Sequence, residues 1–564
     1  MQNVPLRYAT IITLCWSLVS SNAAAEKPSR FVDLSLLVAP GYPCTWPGFP
    51  RFRLLHEQQI GRSSAYNIDT LIIDGNTGTQ MDTPPHSVAR PELGLAKSNA
   101  FGLEFSDKTP AWKLGGEACV VDLYEIRDKA PNGASPRIFK RHITDWEKKH
   151  RRLREGDVLL YRSGYTDAYY APLPAGRRMI ADVVEQKAPG YPGPEIETME
   201  YLAGERNVMH IGTDSPSMGT LPDLGDPSHL AALKFGAVFT EGATGLGQLP
   251  TTGAFYCMLS RKNEGGPYSE GRAFAIVGGV LPKTLIASIR NKRAIDLSVV
   301  NSIDYPMTWP GKGAGRQRQP FTRGNFLYAQ ELQFFHHGHV MDSMAGTHLV
   351  PPAYALPPEQ LSPNAYAPQA RGWLDEYEQK YGPRGVSDVT TEKVPISQTC
   401  GWARVINVQH LVGTTRRDRW PASPQITVNL VKKYEAAKGP LQAGEVVIFH
   451  SAHVDRYFQP HISGAACMVD PLNGKSEGWP APTPDTIAYL AKRGIRCVAT
   501  DAPSLGGVDP KNALMTYWML GSKGMVGVEF LTNAGALPER SYFLFAAIKI
   551  QDCCGGPGRA IALY

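Results

Sequence analysis

Four polar side chains stand close together in the segment IIDGNTGTQMDTPPHS, residues 72–87: Asn76, Gln80, Asp82 and His86. Asp is a hard oxygen ligand, Asn and Gln offer neutral oxygens, and His offers a nitrogen lone pair or a proton. Their spacings of 4, 2 and 4 do not fit one helical face. Along extended backbone all four have the same parity and can face one pocket. Pro84 and Pro85 stiffen the chain ahead of His86. Such a set could bind a divalent cation or move a proton. Its composition is equally that of an Asx-rich turn followed by a surface histidine.

The elements around it are legible. An apolar strand, TLII, leads into a glycine-rich turn before Gln80. Further on, His229 and Glu241 lie twelve residues apart. Asp226 and Pro227 read as the N-cap and first residue of a helix HLAALKF, with His229 in its first turn. AVFT then reads as a strand with Glu241 at its C-terminal end, before Gly242. Helix starts and strand ends at one face of a sheet are where sites collect. Taken alone, the pair is also what a satisfied helix-end histidine and a surface glutamate look like.

The chain is written twice. Residues 32–48, VDLSLLVAPGYPCTWPG, match 295–311, IDLSVVNSIDYPMTWPG, at nine of seventeen positions. The matches continue in order. GDVLLYRSGYTD from Gly156 answers GEVVIFHSAHVD from Gly444, and TDSPSMG from Thr213 answers TDAPSLG from Thr500. The offset grows from 263 to about 288, an insertion of about 25 residues lying mostly within 355–440. A period this long makes each copy a domain with its own core. We place the first at 30–278 and the second at 294–564, packed like a homodimer about a pseudo-two-fold axis. Within each copy strands and helices alternate irregularly, an α/β or α+β pattern. Residues 138–153, for example, carry Phe139, Ile143 and Trp146 at helical spacing.

Composition narrows the class. Of 564 residues, 43% are hydrophobic and 20% charged, which excludes disorder, collagen and coiled coil. A net charge of +6 over this length argues for no nucleic-acid partner. Residues 1–25 have the layout of a secretory signal peptide: Arg7, the apolar run Ala9 to Ser20, then small residues before Glu26. The expected product of cleavage is a periplasmic or secreted protein without a membrane span. Eight cysteines remain after Cys15, with no CxxC spacing and no readable disulfide framework.

The segment 72–87 resembles the signature HxGTHxDxPxH of the cyclase family of metal-dependent hydrolases, which includes kynurenine formamidase-like enzymes, isatin hydrolases and trans-dienelactone hydrolases. GT, Asp82, Pro84 and His86 stand in place, whereas Asn76 and Gln80 replace two histidines. DLS at 33–35, WPG at 46–48, the GDxxL strand at 156–160 and the D-[AST]-P-S turn at 214–217 extend the resemblance over nearly all of both copies. It implies an α/β fold of two tandem swivelling β/β/α domains arranged as a fused pseudo-dimer. It implies that Asp82, His229 and Glu241 ligate a metal, with Asn76 and Gln80 as further oxygen donors, and that His86 is the general base. It makes Trp46, and Trp309 in the second copy, candidates for the pocket wall, with core packing the alternative.

Two amides in place of two imidazoles harden the site, so manganese is expected ahead of zinc or magnesium. The second copy is degraded. Met344, Val350, Tyr354 and Tyr517 stand where a histidine, the aspartate, the base and a ligand histidine are expected, leaving His348 and Glu529. HHGH at 336–339 reads as a packed or solvated cluster. The expected activity is water attack on the carbonyl of a small cyclic amide, lactone or aryl formamide. The alternatives are a catalytically inactive small-ligand binder and a non-hydrolytic cyclase. The expected partners are a small carbonyl substrate and the second copy itself, with higher oligomers left open.

Overall fold

The structure is a computed structural model that describes residues 28–95, 97–310 and 338–564. The signal-peptide segment 1–25, and His336 and His337 of the HHGH tract, lie outside the described residues. Each copy folds as an eight-stranded mixed sheet whose strand order closes on itself. In the first copy the ring runs through Tyr268–Val277, Phe255–Ser260, Gly115–Asp122, Asp157–Arg162, His210–Thr213, Val238–Glu241 and Gln80–Asp82. Gln80–Asp82 then pairs back onto Tyr268–Val277, and Arg30–Asp33 flanks the ring. The second copy repeats this order with strands between Ala294 and Leu563. The duplication read from the sequence is therefore a duplication of topology.

Closure follows from the sequence pattern. Asp157–Arg162 and Val238–Glu241 are buried along their whole length, as parallel strands covered on both faces must be. The helix expected at 138–153 runs Lys140–Lys149, with Ile143 and Trp146 buried beneath it. The segment between the two rings holds the helix Leu281–Arg290, whose Leu285, Ile286 and Ile289 enter the core. It is packed, not a free linker.

The two halves share structure. Ile68–Asp74 of the first pairs antiparallel with Gly338–Asp342 of the second, Asp74 opposite Gly338 and Thr70 opposite Asp342. One core cluster contains Val32, Phe255 and Phe274 from the first half with Tyr542, Leu544 and Ile561 from the second. Antiparallel pairing of equivalent strands is what a two-fold axis generates, so the fold is the fused pseudo-dimer expected. His339 sits buried within that shared strand pair, opposite Ile73. All eight cysteines outside the signal segment are buried thiols. Among the described residues, no helix is long and apolar enough to cross a membrane.

Candidate functional site

Three elements bring the site together. The short strand Gln80–Asp82 carries Asp82, which is fully buried. A single 3-10 turn, Pro84–His86, follows. His86 thus arrives by a turn and not by continued extended backbone, because two consecutive prolines hold φ near −65° and suit such a turn. The neighbouring strand Val238–Glu241 pairs antiparallel with Gln80–Asp82, setting Glu241 opposite Gln80. The helix Gly225–Leu233 delivers His229. It begins at Gly225, so Asp226 lies inside its first turn instead of capping it, and His229 reaches back one turn.

That offset has a chemical consequence. His229 Nδ1 donates to the Gly225 carbonyl at 2.7 Å, which leaves Nε2 as the ring atom aimed at the carboxylates. Nε2 lies 3.2 Å from Glu241 Oε1 and 3.5 Å from Asp82 Oδ2. His86 Nε2 lies 3.8 Å from the same Asp82 oxygen. Burial works against a charge on His229, yet its contacts with Asp82 and Glu241 outweigh it and hold the pKa well above its ordinary value. Burial, and then the nearby Glu241 charge, push the Asp82 carboxyl up to about 7.

The donor set fits a cation. Neither buried Asp82 oxygen accepts a well-formed hydrogen bond; the charge that answers this carboxylate is the His229 imidazole 3.5 Å away, a role a bound cation could take over. One ligand atom from each of Asp82, His86 and His229 falls within 4.8 Å of the others. Donors about 2.1 Å from one ion stand about 3.0–3.4 Å apart; His229 Nε2 is close to that spacing from Glu241 and Asp82, at 3.2 and 3.5 Å, whereas His86 stands farther from Asp82, at 3.8 Å. Glu241 is held differently. Its Oε1 also accepts the Met218 N–H at 2.5 Å, and its Oε2 accepts from Gln80 Nε2 at 2.9 Å. Gln80 Nε2 donates its other hydrogen to Asn76 Oδ1 at 2.8 Å. Of the two amides expected as oxygen donors, Asn76 spends its oxygen on the Gln80 nitrogen, and that nitrogen also donates to Glu241.

Other groups could not be read from the local sequence. Tyr268 packs edge-on to His86, ring centres 5.3 Å apart, because strand register sets it opposite Asp82. The Met218 amide and the Gly225 carbonyl act through backbone atoms, which leave no residue-type signal. Trp46 packs half-buried against a cluster of Leu36, Tyr165 and Tyr191. It also lines a groove of about 380 Å³ with Tyr42, Phe49 and Arg51. Asp82, His86 and His229 do not line that groove.

In the second half, the corresponding place is filled. Tyr354 stacks on Tyr66 of the first half at 4.7 Å, and Tyr517 meets both rings edge-on at 5.1 and 6.0 Å. The Tyr517 hydroxyl donates to Glu529 Oε1 at 2.6 Å, where His229 faces Glu241 in the first half. His348 Nε2 remains 3.2 Å from Glu529 Oε2. Val350 is buried in the place of Asp82. Trp309 meets Trp479 edge-on at 5.7 Å.

Known proteins resemble parts of this chain. An isatin hydrolase of Roseibium aggregatum is 33% identical over 144 residues, covering 24% of this chain and 52% of that protein. The chain thus spans about half the length of that curated relative. Among solved structures, isatin hydrolase A from Labrenzia aggregata bound to benzyl benzoate is 24% identical over 44% of this chain and 94% of its own, with a TM-score of 0.37. Isatin hydrolase A from Ralstonia solanacearum is 23% identical over 44% of this chain and 92% of its own, with a TM-score of 0.36. The Cyclase family model matches residues 32–220 and again residues 295–506, most of the chain, so the protein belongs to the cyclase family in tandem form.

Proposed function

We propose that the protein is a metal-dependent hydrolase with one working site, in the first half, acting on a small cyclic amide, lactone or aryl formamide. The observation that carries this reading is the buried, unsatisfied Asp82 carboxylate with two imidazoles and Glu241 beside it. Asp82, His229 and Glu241 would hold a divalent ion, and a set of carboxylate oxygens with a single imidazole suits manganese. Such an ion lowers the pKa of water and polarises a carbonyl. The Gly225 carbonyl takes the His229 Nδ1 proton, so that Nε2 would be the atom offered to the ion. His86 is the most exposed of the four, its side chain 14% accessible. In this reading it takes a proton from the attacking water and returns it to the leaving nitrogen or oxygen. Tyr268 and the Pro84–Pro85 turn restrict its ring. The isatin hydrolases named above act on isatin by their names, and a cyclic amide of that kind is the first substrate to try.

The test is the variant His86→Ala on a panel of lactones, cyclic imides and aryl formamides. Turnover should fall by about 10²–10⁴-fold with metal content unchanged. Undiminished turnover would refute His86 as the base. Ring-closed or dehydrated products would favour a non-hydrolytic cyclase. Metal-free protein that still binds panel compounds would favour a binding protein.

A further inference from the structure

A glutamine buried beside a glutamate needs a reason. Gln80 is 3% exposed, and its amide nitrogen spends both hydrogens on buried acceptors, Glu241 Oε2 and Asn76 Oδ1. Asn76 is itself tied down, its backbone N–H donating to Asp74 Oδ1 at 2.9 Å. The chain Asp74–Asn76–Gln80–Glu241 therefore runs from the strand shared by the two halves to the edge of the site. At its end, Glu241 has one oxygen facing the Gln80 amide and the other facing Met218 N–H and His229 Nε2. A buried carboxylate free to rotate would present either oxygen, or both, to a neighbouring cation. Here the amide occupies one of them.

We propose that Gln80, backed by Asn76, is a positioning residue for Glu241: it claims Oε2 by hydrogen bonding and so leaves Oε1 as the single oxygen Glu241 offers toward His229 and Asp82. The inference deepens the metal-site reading and rests on it for its functional meaning. The geometry it predicts can be checked without metal. Removing the amide would leave Glu241 Oε2 buried and unsatisfied, and a hydrogen bond to a charged group is among the stronger ones. The carboxylate should then turn, and ion affinity should fall with it.

The experiment uses full-length protein with Gln80→Met, of similar length but without a donor, and Gln80→Asn, which keeps the amide on a shorter stem. Manganese affinity is measured by titration calorimetry and Glu241 is located in metal-free crystals of each. The account predicts that Gln80→Met binds manganese about 10–100-fold more weakly, with the Glu241 carboxylate rotated, and that Gln80→Asn recovers part of the loss. Asn76→Leu, which leaves Gln80 in place but unbraced, should show a smaller loss in the same direction. Should Gln80→Met not fold, Asn76→Leu and Gln80→Asn carry the comparison. An unmoved Glu241 and unchanged affinity in Gln80→Met would overturn the proposal. Wild-type protein that takes up no manganese would sink the metal reading instead. The Glu241 conformation in the metal-free crystals would still decide the role of Gln80.

Discussion

The two halves keep the same scaffold and exchange the centre. Arg272 pairs with Asp33 in the first, and Arg559 with Asp296 in the second. Thr79 accepts from Leu36 N–H and donates to the Gly242 carbonyl. Thr347 does the same between Val299 and Phe530. Asp214 is bound by Ser163 and the Gly164 N–H, Asp501 by Ser451 and the Ala452 N–H. Met218 and Leu505 cap Glu241 and Glu529 alike. What differs is the middle. An orphaned aspartate and two imidazoles stand in the first half. A valine and a packed trio of tyrosines stand in the second, one of them borrowed from the first half. The residues most alike between the copies are therefore those that build the barrel. The residues that changed are those with chemistry to lose.

The largest effect should come from giving the first half the second half's centre. Asp82→Val removes the carboxylate that faces both imidazoles, and turnover should drop by about 10³-fold or more together with metal content. Circular dichroism should remain native, because Val350 already packs at the equivalent place. The reverse exchange should do nothing useful. Val350→Asp with Tyr354→His should add no second ion, since Tyr66 and Tyr517 fill the space. A gain to two ions per chain would show that the second site lost only its ligands.

Separating the halves comes next. A chain ending at residue 293 would open the core that Val32 and Phe274 share with Tyr542 and Ile561, and it should be insoluble or inactive. A soluble, fully active first half would break the claim that the second half is structural. Acidification should have a moderate effect. The Asp82 carboxyl is raised to about 7 by burial and the Glu241 charge, and His229 is held protonated above its ordinary pKa by the same two carboxylates, so protons compete with the ion at both groups. Affinity for manganese should therefore fall continuously from alkaline pH toward pH 5, by about tenfold per pH unit for each proton displaced. The smallest effect is in the aromatic seam. Tyr66→Ala should lower stability by about 2 kcal/mol and leave metal content unchanged, as followed by urea denaturation.

Much of this was legible in the sequence because it is local or repeated. The duplication predicts two similar domains, and topology repeats strand for strand. The spacing of Asp82 to His86 and of His229 to Glu241 marks residues that the fold does bring together. What could not be read depends on pairing between distant segments. Tyr268 meets His86 only through the register of its strand with Gln80–Asp82. Tyr66 reaches the second half only because Ile68–Asp74 pairs with Gly338–Asp342. Extended parity suggested that Asn76 and Gln80 face an ion, but hydrogen-bond satisfaction decides where a buried amide points. The Gln80 nitrogen is shared between Asn76 Oδ1 at 2.8 Å and Glu241 Oε2 at 2.9 Å.

The most direct test is elemental analysis of purified full-length protein beside its Asp82→Val variant. The account predicts one divalent ion per chain in the wild type and none in the variant, with both folded. A wild type without metal, or a variant that keeps its ion, would contradict it.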